Sequence, residues 1–85
     1  MNQKELLLSH LEKIHTTEMG IERIKRNLHL KVDDVVNWCI NELKKEECQV
    51  TRKGKNWYAE TELCIITVNV YSDTIITAHK KLKQE

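Results

Sequence analysis

The sequence predicts an α+β domain: three N-terminal helices followed by a four-stranded antiparallel meander sheet. Three observations carry that expectation. Apolar residues recur at helical spacing as far as Leu43, the period falls to two after Glu47, and short turn segments separate the β-branched runs.

Leu6, Leu7, Leu11 and Ile14 fall on one side of a first helix over Gln3 to His15, with Glu and Lys opposite. Thr16 or Thr17 supplies the hydroxyl that caps the next helix, whose apolar stripe is Ile21, Ile24 and Leu28. Gly20 inside this helix costs about 1 kcal/mol relative to alanine, which points to another backbone packed closely against it. Asp33 or Asp34 caps a third helix that buries Val35, Val36, Cys39, Ile40 and Leu43, with Trp38 at its edge. Lys44 and Lys45 follow at the C-terminal end, where positive charge complements the helix dipole.

Four strands are expected over Cys48 to Lys53, Asn56 to Thr61, Leu63 to Tyr71 and Thr74 to Lys80. The first hairpin turns at Lys53-Gly54-Lys55, where Gly54 supplies a positive φ. Register decides which side chains share a face, because a slip of one residue exchanges the two faces. A Ser72 to Thr74 loop pairs Tyr71 with Ile75, Asn69 with Thr77 and Thr67 with His79, which gathers the polar groups on one face. A two-residue loop would instead bury Thr77 and His79 beside Val68 and Ile66. The three-residue loop is the preferred reading.

Eighty-five residues are expected to form one compact domain, 1–85, because so short a chain encloses a single core. With 40% hydrophobic and 32% charged residues the chain is apolar enough to fold. Three cysteines, Cys39, Cys48 and Cys64, lack zinc-knuckle or redox spacing and read as free thiols in a reducing compartment. The N-terminal residues lack the pattern of a secretory signal, and no run is long and apolar enough for a membrane span. A cytoplasmic location with no membrane partner, no metal and no cofactor is therefore expected. A formal net charge of +1 gives only a small electrostatic drive toward nucleic acid.

The polar sheet face carries the main candidate site. His79, Lys55 and Tyr71 are the catalytic candidates, and Lys53, Asn56, Thr67, Asn69, Thr77 and Lys80 the substrate-binding ones. A histidine can move protons near neutral pH, lysine can stabilise phosphate charge, and Tyr, Thr and Asn can orient a substrate. Against this stands the ordinary reading of an antiparallel sheet with one solvated face built from common β-formers. Arg52-Lys53-Gly54-Lys55-Asn56-Trp57-Tyr58 places cations beside two aromatics, of which only one can face the core. His10 and His15, five residues apart on one helix, would point to different sides of it and make a poor metal pair.

The segments His15 to Leu28, Asp33 to Cys39, Arg52 to Tyr58 and Ile65 to Lys80 together resemble a family of small bacterial proteins of unknown function, domain of unknown function 3781. After Tyr71-Ser72 this chain has Asp73 where that resemblance implies an aromatic. A looser likeness runs to barnase-like, colicin-like and toxin-type ribonucleases, in which helices precede an antiparallel meander; Thr74 to Lys80 is similar to their terminal strand. That likeness implies a metal-independent RNA-cleaving or RNA-binding domain, with His79 as general acid or base. The competing expectation is a noncatalytic interaction module, a homodimer or a binder of a protein partner, since an edge strand with unpaired backbone groups invites pairing.

Overall fold

The computed structural model describes residues 2–81, and within them three helices precede a four-stranded antiparallel sheet, as the periodicity predicts. Helix α1 spans Gln3–Leu8 and is capped by Asn2, whose side chain accepts from the Glu5 N–H. It ends well short of His15. Ser9 folds its hydroxyl back onto the Leu6 carbonyl at 2.6 Å, a 3-10 turn follows at Leu11–Lys13, and the chain then extends through Ile14. Extension has two results that a continuous helix would forbid: Ile14 enters the core, and the His15 backbone bonds to the sheet.

Helix α2, Glu18–Leu28, is capped by Thr17, whose hydroxyl accepts from the Gly20 N–H at 3.0 Å. A Cβ on Gly20 would lie 2.1 Å from Thr16 Oγ1. The close neighbour of this glycine is thus a threonine side chain, where the sequence pointed to another backbone. Helix α3, Val35–Leu43, is capped by Asp34 and buries Val35, Cys39 and Leu43, with Trp38 half-buried.

The strands are β1 (Gln49–Lys53), β2 (Asn56–Glu60), β3 (Cys64–Asn69) and β4 (Ile75–Lys80), arranged in the order β1-β2-β3-β4. Gly54, at φ +59°, starts the turn between β1 and β2. One sheet face packs on the helices through Trp57, Ala59, Cys64, Ile66, Val68, Ile75 and Ala78, all at most 1% exposed. Among the described residues, no helix packs over the opposite face.

The β3–β4 register differs from expectation. Thr67 pairs with Thr77 and Ile65 with His79, two residues from the anticipated pairing, so Thr77 and His79 keep the expected face. The cause is the turn. Asn69 Oδ1 accepts from the Tyr71 and Ser72 backbone N–H groups at 3.0 and 2.9 Å, which ends β3 at Asn69 and turns the chain before Tyr71 can pair. Asp73 then takes a left-handed conformation, φ 59°, which aspartate tolerates better than most residues. A bulge opposite Thr67/Val68 follows. It sends Ile75 into the core at 1% exposed and turns Ile76 outward, the reverse of the expected alternation.

Candidate functional site: the open sheet face

Strand alternation places Gln49, Thr51 and Lys53, then Asn56, Tyr58 and Glu60, then Ile65, Thr67 and Asn69 on the helix-free face. Thr51, Tyr58, Thr67 and Thr77 lie in register across the four strands. A shallow cavity of about 400 Å³ lies on this face, lined by Gln49, Thr51, Lys53, Tyr58, Glu60 and Ile65. Trp57 takes the core side of β2, so Tyr58 must take the open one. Glu60 is paired with Lys81, which offsets the one carboxylate of the lining and leaves Lys53 as its cation.

The nine residues singled out from the sequence divide into three groups. Lys53, Asn56, Thr67, Asn69, Thr77 and His79 occupy the open face. Lys55 lies in the β1–β2 turn, where its carbonyl accepts from Val70 N–H at 2.8 Å. Tyr71 and Lys80 lie elsewhere. Tyr71 belongs to the turn after β3 and is 73% exposed, with the Arg52 guanidinium 5.8 Å from its ring centroid and Arg52 Nη2 donating to its hydroxyl at 3.2 Å. Lys80 pairs with Cys64, whose side chain enters the core, so it sits on the helix side beside a groove of Leu28, Leu30, Trp38 and Leu63.

The expected convergence of His79, Lys55 and Tyr71 is therefore absent. His79 pairs with Ile65, whereas Lys55 and Tyr71 lie past Asn69 at the other end of β3. Four or more residues of strand separate the two ends, about 13 Å at the usual rise. Two presumed binding residues also have structural roles. Asn69 uses Oδ1 to hold the turn, and Thr77 Oγ1 lies 3.5 Å from Asn27 Nδ2 on α2. Asn56 Oδ1 is buried with no hydrogen-bond partner among the described residues.

Sequence reasoning missed a second polar cluster, at the turn. His10 Nδ1 lies 2.9 Å from Asp73 Oδ1, and the ring stands edge-on to Trp57 at 5.7 Å between centroids. Trp57 Nε1 donates to Gln3 Oε1 at 2.9 Å. His15 Nδ1 faces the Lys13 carbonyl at 2.9 Å, so in the neutral ring Nε2 accepts from Thr74 Oγ1 at 3.1 Å. Ser72 Oγ completes the chain at 2.9 Å from Thr74 Oγ1. These groups satisfy one another and fix the turn. The misleading signal was the assumed continuity of the first helix, which sent the two imidazoles to different sides.

Thiol chemistry has no support here. Cys39, Cys48 and Cys64 are free and buried. Burial pushes the Cys39 thiol up to about 12, and it raises Cys48 and Cys64 as well. All three are thus held as unreactive thiols at neutral pH. No cluster of three potential metal ligands occurs among the described residues, and no helix there is long and apolar enough to cross a membrane.

No curated protein matches the chain, and no solved structure does, so the likeness to ribonuclease folds has no structural neighbour behind it. One family model does match, over residues 8–79, and it takes in both helices α2 and α3 and nearly the whole sheet. On that extent of match, the chain belongs to the family described as protein of unknown function DUF3781.

Proposed function

We propose that this protein binds single-stranded RNA on its open sheet face. One observation carries the reading: a helix-free face with an aromatic, Tyr58, in its shallow cavity and Lys53 on the rim. An aromatic on a solvated sheet offers a stacking surface to any base, and a neighbouring ammonium offers a contact to the phosphate. Lys55, in the adjacent turn, extends the path of the backbone. Thr51, directly beside Tyr58 in the register and exposed, presents a hydroxyl to a ribose or a base edge, whereas Thr67 on the other side of Tyr58 is buried.

His79 is exposed on the same face, two strands across and two residues along from Tyr58, or about 12 Å at ordinary strand spacing and rise. With Lys55 and Tyr71 at the far end of β3, this reading gives His79 no phosphate-stabilising partner, so binding is the proposed activity and cleavage is left out of it.

Fluorescence anisotropy with short labelled RNAs at low salt tests the proposal. Tyr58→Ala is expected to weaken binding by about 1–3 kcal/mol, the worth of one stacked base. Lys53→Ala should weaken binding for all sequences alike and lower the salt slope by about 1. No binding by the intact protein at low salt, or equal binding by Tyr58→Ala, overturns the proposal.

A further inference from the structure

The two edges of the sheet differ in what covers them. On β4, the Ile75 N–H donates to the His15 carbonyl at 2.7 Å, and the Ile75 carbonyl accepts from Thr16 Oγ1 at 2.8 Å. The Ala78 carbonyl accepts from Asn27 Nδ2 at 3.2 Å. On β1, the two-residue turn makes Lys53 and Asn56 a hydrogen-bonded pair, so Thr51 and Gln49 also bond inward to β2. The N–H and C=O groups of Val50 and Arg52 must then point outward. None of these four groups has a partner among the described residues. Arg52, which could shield the edge, is folded back: its Nε donates to the Gly54 carbonyl at 3.1 Å and its guanidinium lies over Tyr71.

We infer that β1 pairs antiparallel with β1 of a second copy of this chain, about a two-fold axis at Thr51. The outward groups permit that register. Val50 and Arg52 of one copy exchange backbone hydrogen bonds with Arg52 and Val50 of the other, which makes Thr51 opposite Thr51 the central non-hydrogen-bonded pair. Side chains agree with it. Threonine opposite threonine is a favourable cross-strand pair. Gln49 meets Lys53, Val50 meets Arg52, and no two cations stand directly opposed.

The product is a continuous eight-stranded antiparallel sheet. Gln49, Thr51 and Lys53, which rim the cavity on the open face, would lie at the seam and line a surface shared by both copies. The two Tyr58 side chains would stand three strand spacings apart, about 14 Å. The pairing stands independently of RNA binding.

Sedimentation from about 10 μM to about 1 mM, the range of weak encounters through a small interface, tests the inference together with amide exchange. The expected result is a mass that climbs toward twice the monomer, with slowed exchange at the Val50 and Arg52 amides as concentration rises. Val50→Pro removes an outward donor and should hold the chain monomeric. Gln49→Lys, which sets a second cation directly opposite Lys53 of the other copy, should weaken pairing about tenfold, and adding Lys53→Glu should restore it. A monomer throughout the range overturns the inference. So does a dimer in which the wild-type Val50 and Arg52 amides both stay fast and which Val50→Pro leaves intact, as a dimer through the groove beside Trp38 would. A charge reversal that fails to rescue overturns the register.

Discussion

The β4 edge and the β1 edge belong to one sheet, yet residues far away in sequence seal the first while the second is left bare. His15, Thr16 and Asn27 each bring a polar group to the outer side of β4, from segments about fifty residues or more away. Near β1, among the described residues, Lys4 Nζ donates to the Lys45 and Glu46 carbonyls at 2.8 and 3.2 Å, ahead of the strand, and Arg52 Nη2 reaches the Tyr71 hydroxyl. Neither contact meets an outward backbone group of Val50 or Arg52. The difference teaches that a solvated strand edge can be closed without another strand, provided that a helix start and a helix side chain supply the missing donors and acceptors. It also locates where stability depends on edge chemistry.

The largest effect is expected at Ile75. Ile75→Ala removes a buried side chain at a cost of about 2–5 kcal/mol. Ile75→Pro also removes the N–H that holds the His15 carbonyl, adding about 1–3 kcal/mol for a stranded acceptor. Together these approach the whole stability of a small domain, so urea denaturation should find Ile75→Ala folded but weakened and Ile75→Pro largely unfolded. Equal midpoints for the two variants would show that the seal contributes nothing.

Gly20 gives the next effect. A methyl at Gly20 would overlap Thr16 Oγ1, and that hydroxyl cannot turn away without leaving the Ile75 carbonyl. Gly20→Ala should therefore cost about 2 kcal/mol, within the usual range for overpacking. In a Thr16→Ala background the overlap is gone, and the same change should stabilise by up to about 1 kcal/mol through helix propensity. A change of sign between backgrounds, read by thermal or urea unfolding, is the expected result. Additive costs would sever Gly20 from the edge seal.

These contacts bear on what the sequence disclosed. Element types were legible because each rests on local periodicity: the stripe of Ile21, Ile24 and Leu28, the caps, and the alternation around Ile66 and Val68 all survive in the structure. The break after Leu8 was illegible. Leu11 and Ile14 continue a helical spacing, and only the non-local pull of the sheet on His15 straightens the chain. The register of β4 failed for a related reason, since the Asn69 side chain sets the turn length and no periodicity encodes that. On the open face the parity of Thr67, Asn69, Thr77 and His79 was readable even with the wrong partners, because a two-residue slip preserves faces. Tyr71 was expected on that face too, opposite Ile75 and four residues from His79, and it was lost because the turn held by Asn69 takes it out of β3.

Asn27 offers a smaller test. Its amide donates to the Ala78 carbonyl, so Asn27→Ala gives up about 1 kcal/mol for the bond and regains part of it through helix propensity. Asn27→Asp keeps the shape and cannot donate when ionised, which places a carboxylate against a carbonyl oxygen. The aspartate should be the less stable of the two by urea titration at pH 7. The reverse order would mean that the amide is bonded chiefly to solvent.

The smallest effect is expected where the comparison predicts none of the sealing chemistry. The Val50 N–H points away from β2, so a proline there removes no bond within the monomer, and proline is tolerated on such edges. Val50 is half-buried, so the change also gives up some packing against the core. At concentrations too low for association, Val50→Pro should lower stability by about 1 kcal/mol or less, against the near-complete loss expected for Ile75→Pro. The two prolines occupy outward-facing positions on opposite edges of one sheet, and only one of those positions has a carbonyl waiting for it. A large loss for Val50→Pro in dilute solution would mean that its N–H already has a partner inside the monomer, and the contrast between the edges would then collapse.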